Sequence, residues 1–218
     1  MARKTGARAK QPRWRRRAAS RTEELLEAAL EVFADQGFAR ARLEDVAKRA
    51  GVTKGTVYLY FDSKEALFRE LVRTKIATSI AAGEQFVREY QGPTRELLVG
   101  FMHRYWSVMM RPANARLARL LLSELGNFPD LARFYHKEVV RVRGVIATII
   151  ERGVSRGEFR PVSPALAARA LQALCVHLTQ QQSFFRAPGE ASADDAEALA
   201  GMVDLYLHGV LGGPVEPR

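Results

Sequence analysis

Little in this 218-residue chain is suited to covalent chemistry or to a membrane. It holds a single cysteine, Cys175, so no intrachain disulfide can form, and such usage fits a reducing cytoplasm. No run of eighteen apolar residues is available for a membrane span, and the first residues lack the apolar core of a secretory signal. Nor is there a G-x-S-x-G elbow, a phosphate-binding loop or a dinucleotide fingerprint. The four histidines, His103, His136, His177 and His208, fall on separate expected helices, and none has an H-x-x-x-H partner. No metal, no cofactor and no enzymatic activity are therefore expected. Strand patterns and internal repeats are missing too, which leaves an all-α protein.

Acidic residues are missing from one place in particular. Residues 1–21 carry Arg3, Lys4, Arg8, Lys10, Arg13, Arg15, Arg16, Arg17 and Arg21 and no Asp or Glu, so this stretch holds nearly all of the +10 net charge. With so few apolar residues to bury, residues 1–18 read as a disordered basic arm. An arginine-rich, acid-free start also resembles an organelle transit peptide, but only Ser20 supplies serine and no amphipathic pattern is visible. A solvated tail is the plain alternative.

What is present is concentrated between Leu43 and Phe61, LEDVAKRAGVTKGTVYLYF. Leu43, Val46, Ala47 and Ala50 recur at helical spacing and form one apolar stripe. Gly51 ends that helix, since glycine takes the left-handed conformation without a Cβ penalty. Val52 returns to the core and Thr53 has the oxygen to cap a second helix, which buries Val57 and Phe61. That leaves Lys54, Thr56, Tyr58, Leu59 and Tyr60 facing outward or sideways. Exposed aromatics on so short a helix call for a contact outside the domain. Two short helices about a glycine turn describe a helix-turn-helix, whose second helix enters the DNA major groove.

Residues Leu25 to Leu71 resemble the DNA-binding domain of the TetR family of bacterial transcription regulators. The resemblance rests on three adjoining blocks: LEAALEVFADQGF, LEDVAKRAGVTKGTVYLYF and DSKEALFREL. It implies that Thr53, Lys54, Gly55, Thr56, Tyr58, Leu59 and Tyr60 meet double-stranded operator DNA and that Lys64 grips a phosphate. It also implies that Phe38 packs beneath the reading helices. Beside a DNA-binding domain, Arg13, Arg15, Arg16 and Arg17 of the arm gain a phosphate backbone to contact. The chain departs from the family between Ala39 and Arg42. Ala41 and Arg42 stand where a threonine or serine usually caps the next helix, so that cap comes from elsewhere or is lost, at about 1 kcal/mol. In exchange, Arg40 and Arg42 bring two cations to the groove. Glu44 occupies a position often basic in relatives, so no base contact is expected of it. Capping boxes are expected at Ser20 with Glu23 and at Asp62 with Glu65.

Beyond about Ala81 the chain stays helical without a family motif. Leu98, Phe101, Met102, Tyr105 and Met109 follow a helical period up to Pro112, and Asn114 is expected to cap the next helix, which bears Leu121. A long helix follows Pro129, with Leu131, Phe134 and Ile146 among its apolar residues, and the turn GVSRGEFRPVSP ends it. Ser163 and Pro164 open a helix to about residue 183, and the last runs from about 194 to 211. By resemblance, these last two helices pair with their copies as a four-helix bundle in a homodimer. The middle helices then line a cavity for a small hydrophobic or aromatic effector, with Phe101, Met102, Tyr105, Trp106, Met109, Leu121 and Phe134 as candidate contacts. For each of these, core packing is the plain alternative. His177 and Gln181 are the polar candidates.

The expected organisation is thus a basic arm (1–18), an N-terminal three-helix helix-turn-helix domain (19–79) and a C-terminal helical ligand-binding and dimerisation domain (80–218). The expected function is transcriptional regulation, by repression in the first instance and relieved by ligand. An activator of the same family and a non-regulatory architectural DNA-binding protein are the alternatives. The second leaves the large C-terminal domain without a role.

Overall fold

The computed structural model describes residues 13–185 and 193–211, with side chains for 20–178, 180 and 197–209. Among the described residues there are nine α-helices and no strand. They are α1 (Arg13–Gln36), α2 (Leu43–Arg49), α3 (Lys54–Tyr58), α4 (Lys64–Glu89), α5 (Thr94–Met109), α6 (Pro112–Glu124), α7 (Pro129–Ser155), α8 (Pro164–Phe185) and α9 (Ala193–Leu211). The chain divides into two compact units, Met1–Leu71 and Val72–Arg218. That division falls inside the continuous helix α4, ahead of the boundary expected at residue 79.

In the first unit, Leu25, Leu26, Ala29, Leu30 and Phe33 of α1 are buried, as their spacing requires. Gly37, at φ +77°, turns the chain, and Phe38 returns to the core. The rings of Phe33, Phe38 and Phe68 meet at centroid distances of 5.0 to 5.8 Å, so α1, the turn and α4 share one aromatic cluster. Two helix starts differ from expectation. The helix α1 begins at Arg13, so residues 13–18 are helical and not a disordered arm; residues 1–12 lie outside the described residues. Arg and Ala are strong helix formers, and the helix runs back through them past Ser20. Ser20 caps nothing there; its hydroxyl donates to Glu24 at 3.2 Å. At α4 the cap is Ser63 and not Asp62, its Oγ accepting the Ala66 N–H at 3.0 Å.

The second unit has its core where α5, α7, α8 and α9 meet, around Leu97, Leu98, Phe101, Ile146, Ile149, Ile150, Leu171 and Leu199. The buried Glu138 and Gln172 there are answered, whereas the Tyr206 hydroxyl, also covered, finds no hydrogen-bond partner among the described residues. Glu138 receives Arg141, whose guanidinium also forks onto Glu84 of α4 at 2.7 and 2.8 Å. Gln172 of α8 accepts from Arg143 and donates to the Val139 carbonyl, which fastens α8 to α7. Asn114 does not cap α6. Pro112 starts that helix, and the Asn114 amide instead donates to the Val108 carbonyl at 2.6 Å, closing the end of α5. Ser163 does open α8, its Oγ accepting from Leu166 N–H at 3.4 Å. The helix α8 is apolar on two sides. Ala168, Leu171 and Cys175 face the core, whereas Leu166 and Leu174 are exposed. Similarly, Leu199, Val203 and Leu207 of α9 are covered and Leu205 is not.

Candidate nucleic-acid interface

The surface built by α2, its turn and α3 starts from three local constraints. Gly51 adopts φ +65°, a conformation that β-carbon residues avoid, and the next N–H, of Val52, closes back on the Ala47 carbonyl at 2.9 Å. Thr53 caps α3, its Oγ accepting from Thr56 N–H at 3.2 Å. Arg42 occupies the N-cap of α2 without a side-chain cap bond, and its backbone N–H donates to the Asp45 carboxylate at 3.2 Å. That is the reciprocal half of a capping box, so the missing threonine is partly replaced from within the helix. Arg49 then ties α2 to α1 through Glu31 and Asp35.

The helix α3 ends at Tyr58, short of the Phe61 expected on it, but Val57 within it and Phe61 beyond it are both buried, which turns the other side outward. Tyr58 is 46% exposed, Leu59 83% and Tyr60 36%, and Thr53, Lys54 and Gly55 are exposed beside them, with Thr56 half-buried. The Lys54 ammonium lies 5.6 Å from the centre of the Tyr58 ring and forms an ion pair with Glu44 of α2. The hydrogen bond from Lys54 holds the Glu44 carboxyl below its usual range and raises Lys54 in turn. Glu44 had no partner assigned from sequence. The pair links helices whose contact a periodic pattern does not reveal.

Arg40 and Arg42 are exposed next to this surface, and Arg40 Nε donates to the Gln36 carbonyl at 3.0 Å. Lys64 is committed inward. Its Nζ donates to the carbonyls of Phe38 (2.8 Å) and Ala39 (3.1 Å) and lies 4.6 Å from the Phe38 ring centre. Here it locks the α1–α2 turn to the first turn of α4. Arg13, Arg15, Arg16 and Arg17 belong to the start of α1, and their side chains lie outside the described residues.

In the second unit the expected ligand contacts are mostly covered. Phe101, Met102 and Trp106 are buried in the shared core, and Tyr105 packs against it with its hydroxyl pushed well above the usual tyrosine range by burial. Leu121 is buried in α6, whereas Met109 and Phe134 are half-buried. His177 differs from expectation. It is exposed, on the same outward side of α8 as Leu166 and Leu174, since it follows them by eleven and three helical positions. The side chain of Gln181 lies outside the described residues. An open groove of about 470 Å³ is found elsewhere, lined by Arg160, Val162, Leu166, Leu205 and Tyr206 among others. Among the described residues no group of three or more His, Cys, Asp or Glu is arranged to hold a metal ion, and no helix is long and apolar enough to cross a membrane.

Known proteins match both units. The pattern of the bacterial regulatory proteins of the tetR family fits residues 25–71, and that of the AefR-like transcriptional repressor C-terminal domain fits residues 96–208. The HTH-type transcriptional repressor KstR2 of Mycolicibacterium smegmatis is 30% identical over 145 residues, covering 66% of this chain and 69% of that protein. The fatty acid metabolism regulator protein of Bacillus subtilis is 26% identical over 137 residues, or 63% of this chain and 70% of its own. In three dimensions, the transcriptional regulator FadR of Bacillus subtilis, solved in complex with stearoyl-CoA, superposes with a TM-score of 0.67 at 19% identity. That match covers 86% of this chain and 98% of the other. The chain thus belongs to the TetR family of bacterial regulatory proteins and is a DNA-binding transcriptional regulator.

Proposed function

We propose that this regulator is a repressor that binds a palindromic operator as a homodimer through α3 and leaves it when a small hydrophobic ligand enters the C-terminal unit. The observation that carries the reading is the outward side of α3. There Tyr58 at the end of α3, and Leu59 and Tyr60 just after it, are exposed together beside Lys54, while Val57 and Phe61 are buried on the inner side. An apolar and aromatic surface flanked by cations suits base edges and phosphates, Leu59 against a thymine methyl and Gly55 allowing close backbone approach. Arg40, Arg42 and the arginines at the start of α1 add phosphate contacts.

A monomer reads one half-site, so specificity calls for two heads about one helical turn, ~34–36 Å, apart. The uncovered apolar side chains of α8 and α9, Leu166, Leu174 and Leu205, support a pairing of these helices with those of a second copy. His177 then belongs to that pairing side and not to a ligand site.

Two relatives are named for fatty acid metabolism or bound to stearoyl-CoA, which favours a ligand with a long apolar part. Phe101, Met102, Tyr105, Trp106, Met109, Leu121 and Phe134 are the groups that would part to admit it, methionine adapting most readily. Release requires the ligand to prefer the wrongly spaced dimer. A hundredfold fall in operator affinity corresponds to ~2.7 kcal/mol of coupling, and operator must weaken the ligand by the same factor.

The test is selection of duplexes from a random pool, followed by footprinting and by transcription in vitro with and without acyl-CoA thioesters and free fatty acids. A short palindrome, lowered transcription and ligand-dependent release are expected. Uniform coverage of any duplex would mark an architectural protein, and raised transcription an activator.

A further inference from the structure

Glu44 is an acidic side chain on a surface that must approach a polyanion. Its carboxylate bonds the Lys54 ammonium, with 48% and 55% of the two side chains still exposed. Pairs this open contribute little to folding. Both helices are also held without it. Leu43, Val46 and Ala47 bury α2, Asp45 caps it and Arg49 anchors it, while Thr53 and Val57 hold α3. An unpaired cation at Lys54 would attract DNA of any sequence more strongly than this pair does. The pair therefore costs general affinity and adds little to the fold, and a gain in discrimination is what remains to account for it.

The geometry indicates how. Lys54 is the first residue of α3, and the N-terminal residues of a reading helix are those that reach base edges. Glu44, bonded to it, arrives at the same point. The ammonium keeps donors beyond the one given to Glu44, and the carboxylate keeps acceptor lone pairs. In the major groove, guanine offers O6 and N7 as acceptors, and the cytosine paired with it offers an N4 donor alongside. We propose that Glu44 and Lys54 act as one neutral donor–acceptor unit that reads a G·C base pair in each half-site, Lys54 donating to guanine and Glu44 accepting from cytosine. Because the unit carries no net charge, it gains little from phosphates and favours the right sequence over DNA in general. The inference rests on α3 meeting DNA, as proposed above.

The experiment uses the full chain, the duplex it selects from a random pool, single-base-pair variants of that duplex and an unrelated random-sequence duplex. Glu44→Ala should cut discrimination at one G·C pair per half-site by roughly five- to a hundredfold, the value of one good base contact. Affinity for the unrelated duplex should rise by roughly eightfold at 0.1 M salt, with a slope of log K against log salt steeper by about 0.9, as one freed cation meets a phosphate. Glu44→Gln, which loses the charge and keeps an acceptor, should give the same gain on unrelated DNA and retain more of the base preference. Equal gains on every duplex with preferences intact would reduce Glu44 to a surface charge, and no change at all would remove it from the interface. Lys54→Ala separates the two readings. If it leaves binding to the selected duplex unaltered, the α3 interface itself is wrong. If it weakens binding while Glu44→Ala leaves base preference alone, only the paired reading fails.

Discussion

Tyr58 has little to do in the fold, with nearly half its surface in solvent at the end of a five-residue helix. Tyr58→Ala should therefore lower operator affinity by at least ~1 kcal/mol while leaving the unfolding midpoint nearly unchanged. An isotherm on the selected operator, paired with a thermal melt, checks both halves; unaltered binding by a folded variant would remove Tyr58 from the interface. Lys64 is the opposite case. Its two bonds to the Phe38 and Ala39 carbonyls span the first unit, so Lys64→Met should cost about 1–2 kcal/mol of stability, the low end for charge-assisted bonds because the group is half-exposed. Denaturant unfolding measures that loss. If Lys64 also meets a phosphate through its remaining donor, the same variant lowers the salt slope by up to ~0.9. Stability unaffected, with the slope lowered, would mean that the lysine serves DNA alone.

At the scale of an element, α2 shows stability exchanged for charge. Its N-cap is Arg42 in extended conformation (φ −124°, ψ 154°), the backbone that a capping serine or threonine adopts. Only the Asp45 carboxylate, bonded to the Arg42 N–H, works as a cap there. Arg42→Ser should accordingly raise the stability of the protein by about 0.5–1 kcal/mol and, by removing an exposed cation beside the reading face, weaken operator binding. Measured together, a higher melting temperature and a weaker isotherm are expected. A variant that binds operator as tightly as the parent would show that Arg42 contributes no contact.

For the whole molecule, the two most exposed leucines described on α8 and α9 and the basic start carry the consequences. Leu166 and Leu205 are 68% and 76% exposed, so Leu166→Glu with Leu205→Glu should leave the core intact and oppose pairing of two copies by burying like charges. Sedimentation should then report a monomer, and operator affinity should fall toward that for unrelated DNA. A double variant that stays dimeric would move the interface to another face. Deleting residues 1–12 removes Arg3, Lys4, Arg8 and Lys10 and leaves the helix from Arg13. Binding should weaken on every sequence, with the salt slope shallower by up to ~0.9 for each phosphate no longer neutralised. An unchanged slope marks a solvated tail, and a weaker preference for one flanking sequence marks a minor-groove reader.

The helix-turn-helix was legible in the sequence because its determinants are local. The apolar stripe of Leu43, Val46 and Ala47, the glycine at position 51, the Thr53 cap and the outward Tyr58 all follow from spacing and backbone chemistry within twenty residues. So were the all-helical architecture and most of the helix ends. Partners distant in the chain were decided by tertiary structure. Lys64 bonds carbonyls twenty-five and twenty-six residues away, and Arg141 reaches Glu84 across fifty-seven. A helical period shows which residues share a face, but not which neighbour covers that face. Hence α8 carries apolar residues on two sides, with Cys175 inward and Leu174 outward beside His177, and Phe101, Met102 and Trp106, expected to line a cavity, pack as core. Polar groups behave likewise. Asn114, Ser20 and Asp62 carry capping chemistry in the sequence, but only the packed chain determined which backbone groups were left for them to satisfy.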